Sequence, residues 1–103
     1  MKESEIEKIL VKETKKLRGA AYKWESPGND GVPDRIVIFP GKEPIFVELK
    51  TEKGRLSELQ KVQLSRLAKL GQTIEVIYGI GQLAEFFGVL GFEETAERIR
   101  RRR

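Results

Sequence analysis

Residues 33–50, PDRIVIFPGKEPIFVELK, decide the fold. Two runs rich in Ile, Val and Phe, residues 35–39 and 45–49, flank Pro40-Gly41-Lys42-Glu43-Pro44, whose residue types favour a turn. The segment therefore reads as a β-hairpin. Symmetric pairing about Lys42 sets Ile36 opposite Glu48 and Asp34 opposite Lys50. Side chains alternate between the faces of a strand, so the even-numbered Asp34, Glu48 and Lys50 share one face. A slip of one residue would scatter them.

Two carboxylates and a lysine on a largely apolar sheet face are costly unless they are paired or bound to a metal. Asp34 and Glu48 lie on a diagonal of the hairpin, where backbones are roughly 7–8 Å apart. Their short side chains can converge on one hard, oxygen-preferring cation such as Mg²⁺. Lys50, two residues beyond Glu48, aims at the same spot. An isolated E-x-K on a hairpin is ordinarily solvated surface, and Pro-Asp opens many strands, so the whole spacing has to carry the sharper reading.

That spacing matches a known pattern. Pro33-Asp34, thirteen intervening residues, then Glu48-Leu49-Lys50 resembles the PD-(D/E)xK signature of the restriction-endonuclease-like superfamily. The flanking text, GVPDRIVIF and later FVELKTEKGRLSELQ, resembles the VRR-NUC branch in its stand-alone phage and bacterial form. Gly31-Val32 before the motif, and Gly54, Leu56, Ser57 and Gln60 after it, make the match more specific than a bare PD…ExK. It runs from the first helix to about Tyr78.

The resemblance implies a single VRR-NUC nuclease domain over residues 1–103 that hydrolyses phosphodiester bonds in DNA with Mg²⁺ or Mn²⁺. Asp34 and Glu48 would hold the ion, with the backbone carbonyl of Leu49 as a third ligand. Lys50 would orient the attacking water or stabilise developing negative charge; lysine is a poor general base at neutral pH unless its surroundings depress its pKa. An acidic residue of the first helix would join the site. Glu7 matches that position best, and Glu3 is the second candidate.

Composition sets outer limits. A chain of 103 residues has room for one core. With no Cys and no His, thiol nucleophiles, disulfides and imidazole catalysis are excluded, and zinc sites with them, which leaves carboxylate, Lys, hydroxyl or metal chemistry. The net charge of +4 favours a polyanionic partner. The start of the chain, Met1-Lys2-Glu3-Ser4-Glu5, is charged, and no run has the length of a signal or membrane segment. A soluble intracellular protein is expected, in the cytoplasm of a bacterium or a phage's bacterial host, with no membrane contact and no nucleotide cofactor.

The rest of the chain supplies the frame. Ile6, Ile9, Leu10 and Leu17 recur near helical spacing over residues 4–17, and Gly19 stops the helix. Glu7 lies near the edge of that stripe, although helix glutamates are usually solvated. Residues 20–25, AAYKWE, read as a short strand, and residues 26–31, SPGNDG, as a loop ahead of Asp34. Tyr22 and Trp24 invite a base-stacking reading, but a core or edge-strand role is preferred for both, with Lys23 kept as a phosphate contact. Lys53 and Arg55 flank Gly54 in a basic loop beside the proposed site and are the other nucleic-acid contacts. Ser57 with Gln60 forms a capping box at the start of a helix whose buried stripe is Leu64, Leu67 and Leu70. The cap explains Gln60 without any function, while the resemblance places it in the active-site surround; the roles are compatible. Residues 73–78, TIEVIY, can join the sheet in parallel by a right-handed crossover.

The expected architecture is α/β, an αβββαβ restriction-endonuclease-like core with a mixed four-stranded sheet. Extra short C-terminal helices over residues 83–87 and 93–103 complete it. Phe86, Phe87, Val89, Leu90 and Phe92 form an apolar cluster that is either a lid on the sheet or a subunit contact, and the tail holds five arginines in residues 98–103. The expected function is a DNA endonuclease selective for branched DNA, resembling a four-way (Holliday) junction resolvase and acting as a homodimer. Two alternatives remain open: a catalytically silent nucleic-acid-binding module, and a flap or duplex-end nuclease within a replication or repair assembly.

Overall fold

The computed structural model describes residues 1–102. Helix α1 (Glu3–Lys16) buries Ile6, Ile9 and Leu10 as one stripe. Acidic Glu3 and Glu5 in its first turn and basic Lys15 and Lys16 in its last complement the helix dipole. Strands β1 (Ala20–Lys23), β2 (Arg35–Ile38), β3 (Ile45–Lys50) and β4 (Thr73–Tyr78) form one sheet in the order β1-β2-β3-β4. The first two pairings are antiparallel and the third is parallel. Helix α2 (Glu58–Lys69) makes the crossover that a parallel pair requires. The mixed sheet and the αβββαβ order are as the sequence implied.

The hairpin register differs from the symmetric expectation. Ile36 pairs with Phe46 and Arg35 with Val47, so Ile36 does not face Glu48. The cause is the turn: Lys42 N–H donates to the Phe39 carbonyl at 3.2 Å, and Gly41 takes a φ of 71°. Pro40 and Gly41 thus occupy the central positions of a type II turn, where Pro presets the first and Gly alone easily takes the second. The reversal centres on Gly41 instead of Lys42. A shift of two residues preserves parity, so every side chain keeps its expected face. Continued one step past β2, the observed register sets Asp34 opposite Glu48 rather than Lys50.

The odd-numbered face carries the core. Val37, Phe39, Ile45, Val47, Leu49 and Ile77 are buried there with residues of α1 and of α3 (Gly79–Val89). Helix α3 follows β4 directly, four residues earlier than its expected start, and Gly88 lies inside it. Phe86 and Phe87 are buried; Phe39 meets the Phe87 edge at 6.2 Å and Phe92 at 4.9 Å. The aromatic cluster is therefore a lid on the sheet, and of its members only Val89 is largely exposed.

Helix α4 (Glu93–Arg100) is tied to α1 by a buried carboxylate that helical periodicity alone did not single out. Glu13 accepts from Arg98 Nη2 at 2.7 Å and from its Nε at 3.2 Å, and Arg102 approaches to 3.8 Å. Burial pushes the Glu13 pKa up, but the Arg98 hydrogen bond and the charges of Arg98, Lys16 and Arg102 outweigh it and hold the carboxyl below its usual range. Two of the tail arginines thus face inward; Arg103 lies outside the described residues.

On the even-numbered face α2 packs mainly over β4, and its first turn reaches β3 through Gln60 and Glu48. Of its expected stripe, Leu64 is buried, Leu67 half-buried and Leu70 exposed, because the helix sits at the margin of the sheet. Among the described residues no helix is long and apolar enough to cross a membrane.

Candidate active site

Antiparallel pairing brings Asp34, just ahead of β2, to the end of β3 that carries Glu48 and Lys50. Asp34 Oδ2 accepts the Leu49 backbone N–H at 2.9 Å. Glu48 is buried, at 1% exposure, and its Oε2 accepts from Gln60 Nε2 at 3.0 Å. Lys50 Nζ stands 3.8 Å from the same oxygen, an ion pair rather than a hydrogen bond. Carboxylate oxygens of Glu3, Asp34 and Glu48 lie within 4.8 Å of one another. Burial above all, and then the negative charge of Asp34, with Glu3 adding to it, raise the Glu48 pKa from 4.5 to about 8 against the pull of Lys50. One lysine does not offset the three.

The donors fit a divalent cation. All three side chains offer hard oxygen, which suits Mg²⁺ or Mn²⁺. The backbone offers a fourth oxygen. In an extended strand the N–H and C=O of one residue point to the same side. Leu49 directs its N–H to Asp34, so its carbonyl leaves β3 on that side too. The register continued past β2 sets Pro33 opposite Leu49, and proline has no N–H to donate. No backbone N–H therefore stands across from that carbonyl.

Gln60 reaches the site because of how α2 begins. Ser57 Oγ accepts from Gln60 N–H at 3.1 Å, and Ser57 N–H donates to Gln60 Oε1 at 2.9 Å. The capping box uses the amide oxygen and leaves the amide nitrogen for Glu48, so the cap and the site share one side chain. The loop that ends in Asp34 lies against this turn. Gly31 takes a φ of 90°, and a Cβ there would stand 2.6 Å from the backbone of Leu59. Only glycine lets the loop approach α2 so closely.

The structure separates the remaining candidates. Glu7 accepts from Arg35 Nε at 2.8 Å, while Arg35 Nη1 donates to the Ala21 carbonyl at 3.0 Å. Arg35 is odd-numbered, so it points to the face that α1 covers and takes up Glu7. Glu3, one turn earlier, is the helix carboxylate brought to Asp34 and Glu48. The signal was present in the sequence: an arginine on the core face needs an acidic partner from α1. Lys53 and Arg55 are exposed on the loop that follows Lys50. Lys23 is exposed in β1 opposite Arg35, on the odd-numbered side, and is not brought to the carboxylates.

A family model described as "VRR-NUC domain" matches residues 1–80. The protein named "Putative nuclease p44", from Acyrthosiphon pisum secondary endosymbiont phage 1, is 43% identical over 77 residues, which span 75% of this chain and 83% of that protein. A solved structure described as "VRR_NUC domain" superposes with a TM-score of 0.71 at 24% identity, over 98% of this chain and 97% of that one, a likeness of fold.

Proposed function

The chain belongs to the VRR-NUC domain family, and from that premise we propose that it is a divalent-metal-dependent DNA endonuclease that acts on branched DNA as a homodimer. The observation that supports this most is the convergence of carboxylate oxygens of Glu3, Asp34 and Glu48 to within 4.8 Å of one another, a charge that Lys50 alone does not neutralise. A module that only bound DNA would gain nothing from three carboxylates facing a polyanion.

Glu3, Asp34, Glu48 and the Leu49 carbonyl would hold Mg²⁺ or Mn²⁺. Such an ion polarises the scissile phosphate and lowers the pKa of a bound water. Gln60, donating to Glu48, fixes the orientation of that carboxylate, as the partners of metal ligands commonly do. Lys50 holds its ammonium beside Glu48, placed to orient the attacking water and to stabilise charge that develops on the phosphate. Lys53 and Arg55, on the adjacent loop, would contact neighbouring phosphates and give binding a steep salt dependence.

Among the described residues one chain carries one such cluster, and its radius of gyration is 13.2 Å. Cutting two strands of a junction calls for two clusters, which a two-fold pair presents to equivalent strands. With Phe86 and Phe87 buried, Leu59 and Val62 of α2 and Leu70 at its C-cap, exposed at 55%, 43% and 72%, offer apolar surface for that pair. A cleavage panel of four-way, flapped and linear DNA with and without Mg²⁺ tests the reading: four-way junctions should be cut faster than linear duplex, and only with the ion. Equal cutting of all three would remove the branched-DNA preference.

A further inference from the structure

We propose that the uncovered part of the sheet beside the carboxylates is a stacking platform for an unpaired nucleobase, with Tyr22 as its aromatic contact. This rests on the nuclease reading and adds which part of the DNA meets the protein there. Tyr22 pairs with Ile36, and Ile36 with Phe46, so the three lie in one row. Asp34 and Glu48 stand two residues away along their strands, on the same face. Trp24 N–H donates to the Asp34 carbonyl at 3.0 Å, which extends the β1 pairing up to the site.

The exposure of this face has a plain cause. Helices α1 and α3 cover the opposite face and α2 covers β4, so β1 and β2 are left bare on the even-numbered side. Tyr22 is 62% exposed and Ile38 37% exposed, with Ile36 and Phe46 half-buried between them and the site. Trp24 is not free to stack: it packs on Phe46 with centroids 5.3 Å apart and an interplanar angle of 53°, and so walls the platform on the side of the carboxylates.

Distance and charge select the occupant. With strands about 4.8 Å apart and a rise of about 3.4 Å per residue, Tyr22 lies about 8 Å from Asp34 and about 12 Å from Glu48 at the backbone. Twelve ångströms is about three stacked nucleotides at 3.4 Å each. An apolar aromatic surface with half-buried Lys50 beside the carboxylates at one end suits a single strand, whose bases stack while a phosphate meets that cation. A fully paired duplex keeps its bases inside the helix and offers no ring face to Tyr22. A branch point, where a strand leaves the duplex, does.

The test uses the Asp34→Asn chain, so that DNA is bound without being cut, with and without Tyr22→Ala or Tyr22→Phe. Binding is measured to a forked duplex carrying 2-aminopurine at successive positions of its single-stranded arm, and to a blunt duplex of the same length. Stacking should quench the probe at one position within about three nucleotides of the cleavage point. Tyr22→Phe should retain the quench, while Tyr22→Ala should abolish it and weaken fork binding about tenfold, leaving blunt-duplex binding unchanged. Tyr22 is exposed, so either change should leave thermal stability intact. Unchanged quenching and affinity in Tyr22→Ala, or failure of phenylalanine to retain them, would overturn the platform. If the wild-type chain cleaves no DNA with Mg²⁺, the nuclease reading falls and the platform with it; intact cleavage with an indifferent Tyr22→Ala removes the platform alone.

Discussion

Glu3 and Glu7 sit one helical turn apart on the same side of α1, so periodicity alone does not choose between them. Arg35 does, by taking Glu7 at 2.8 Å. Glu7→Gln should therefore cost about 1–3 kcal/mol of stability, the penalty for a polar group left without its partner, and spare cleavage. Glu3→Gln should leave stability nearly unchanged and weaken Mg²⁺ binding about 10–100-fold, as changes around metal sites do. Thermal melts and metal titration of the two variants check this, and a Glu7→Gln chain without cleavage would reverse the assignment. That Glu48 shares a face with Asp34 was legible, but its burial was not, because burial depends on α2 and the loop that ends in Asp34. Its pKa of about 8 lies above the ordinary 4.5, so the metal-free folded state holds a proton that the unfolded chain releases. Stability without metal should be full below about pH 4.5 as far as this group is concerned, and fall by a few kcal/mol as pH rises through about 8. Mg²⁺ should then stabilise more at pH 8.5 than at pH 6, and Glu48→Gln should flatten the metal-free profile. A wild-type profile that is flat across that window in EDTA would contradict the buried, uncompensated carboxylate.

Among the elements, the hairpin shows what alternation can and cannot tell. Parity follows from residue spacing, so the shared face of Asp34, Glu48 and Lys50 was readable. The register depends on which residues occupy the turn, and Pro40-Gly41 moved its centre by one residue. That shift puts Asp34 opposite Glu48 and Pro33 opposite Leu49, a tighter cluster than symmetric pairing allows. Helix α2 was legible at its start, where Ser57 and Gln60 form the cap, and not at its packing, where three leucines at helical spacing promised a stripe that the sheet margin does not cover. Gly31 joins the two elements. Gly31→Ala should destabilise the fold by more than about 1 kcal/mol, because alanine resists a positive φ. It should also reduce cleavage disproportionately, since the loop it displaces ends in Asp34. A variant that melts lower but cuts at the wild-type rate would mean that the loop does not position the site.

For the molecule as a whole, the αβββαβ order could be read from punctuation and periodicity, and the C-terminal part could not. The aromatic cluster had two outcomes that composition does not distinguish, and packing of Phe87 and Phe92 on Phe39 decided for the lid. The Glu13 clasp joins residues 85 positions apart in the chain, beyond any local pattern. If α2 supplies the subunit contact, light scattering at micromolar concentration should give twice the chain mass, and Leu70→Lys with Val62→Lys should give the single mass; a wild-type monomer would set the homodimer aside. The central claim is that carboxylates gathered at the ends of β2 and β3 hold the cation that drives hydrolysis. The most direct test is Mg²⁺-titrated cleavage of a labelled four-way junction by the wild type and Asp34→Asn side by side. Cleavage should rise with Mg²⁺, vanish in EDTA, and fall by at least about 100-fold in Asp34→Asn with junction binding retained. Cutting that persists in EDTA, or at the wild-type rate in Asp34→Asn, would contradict it.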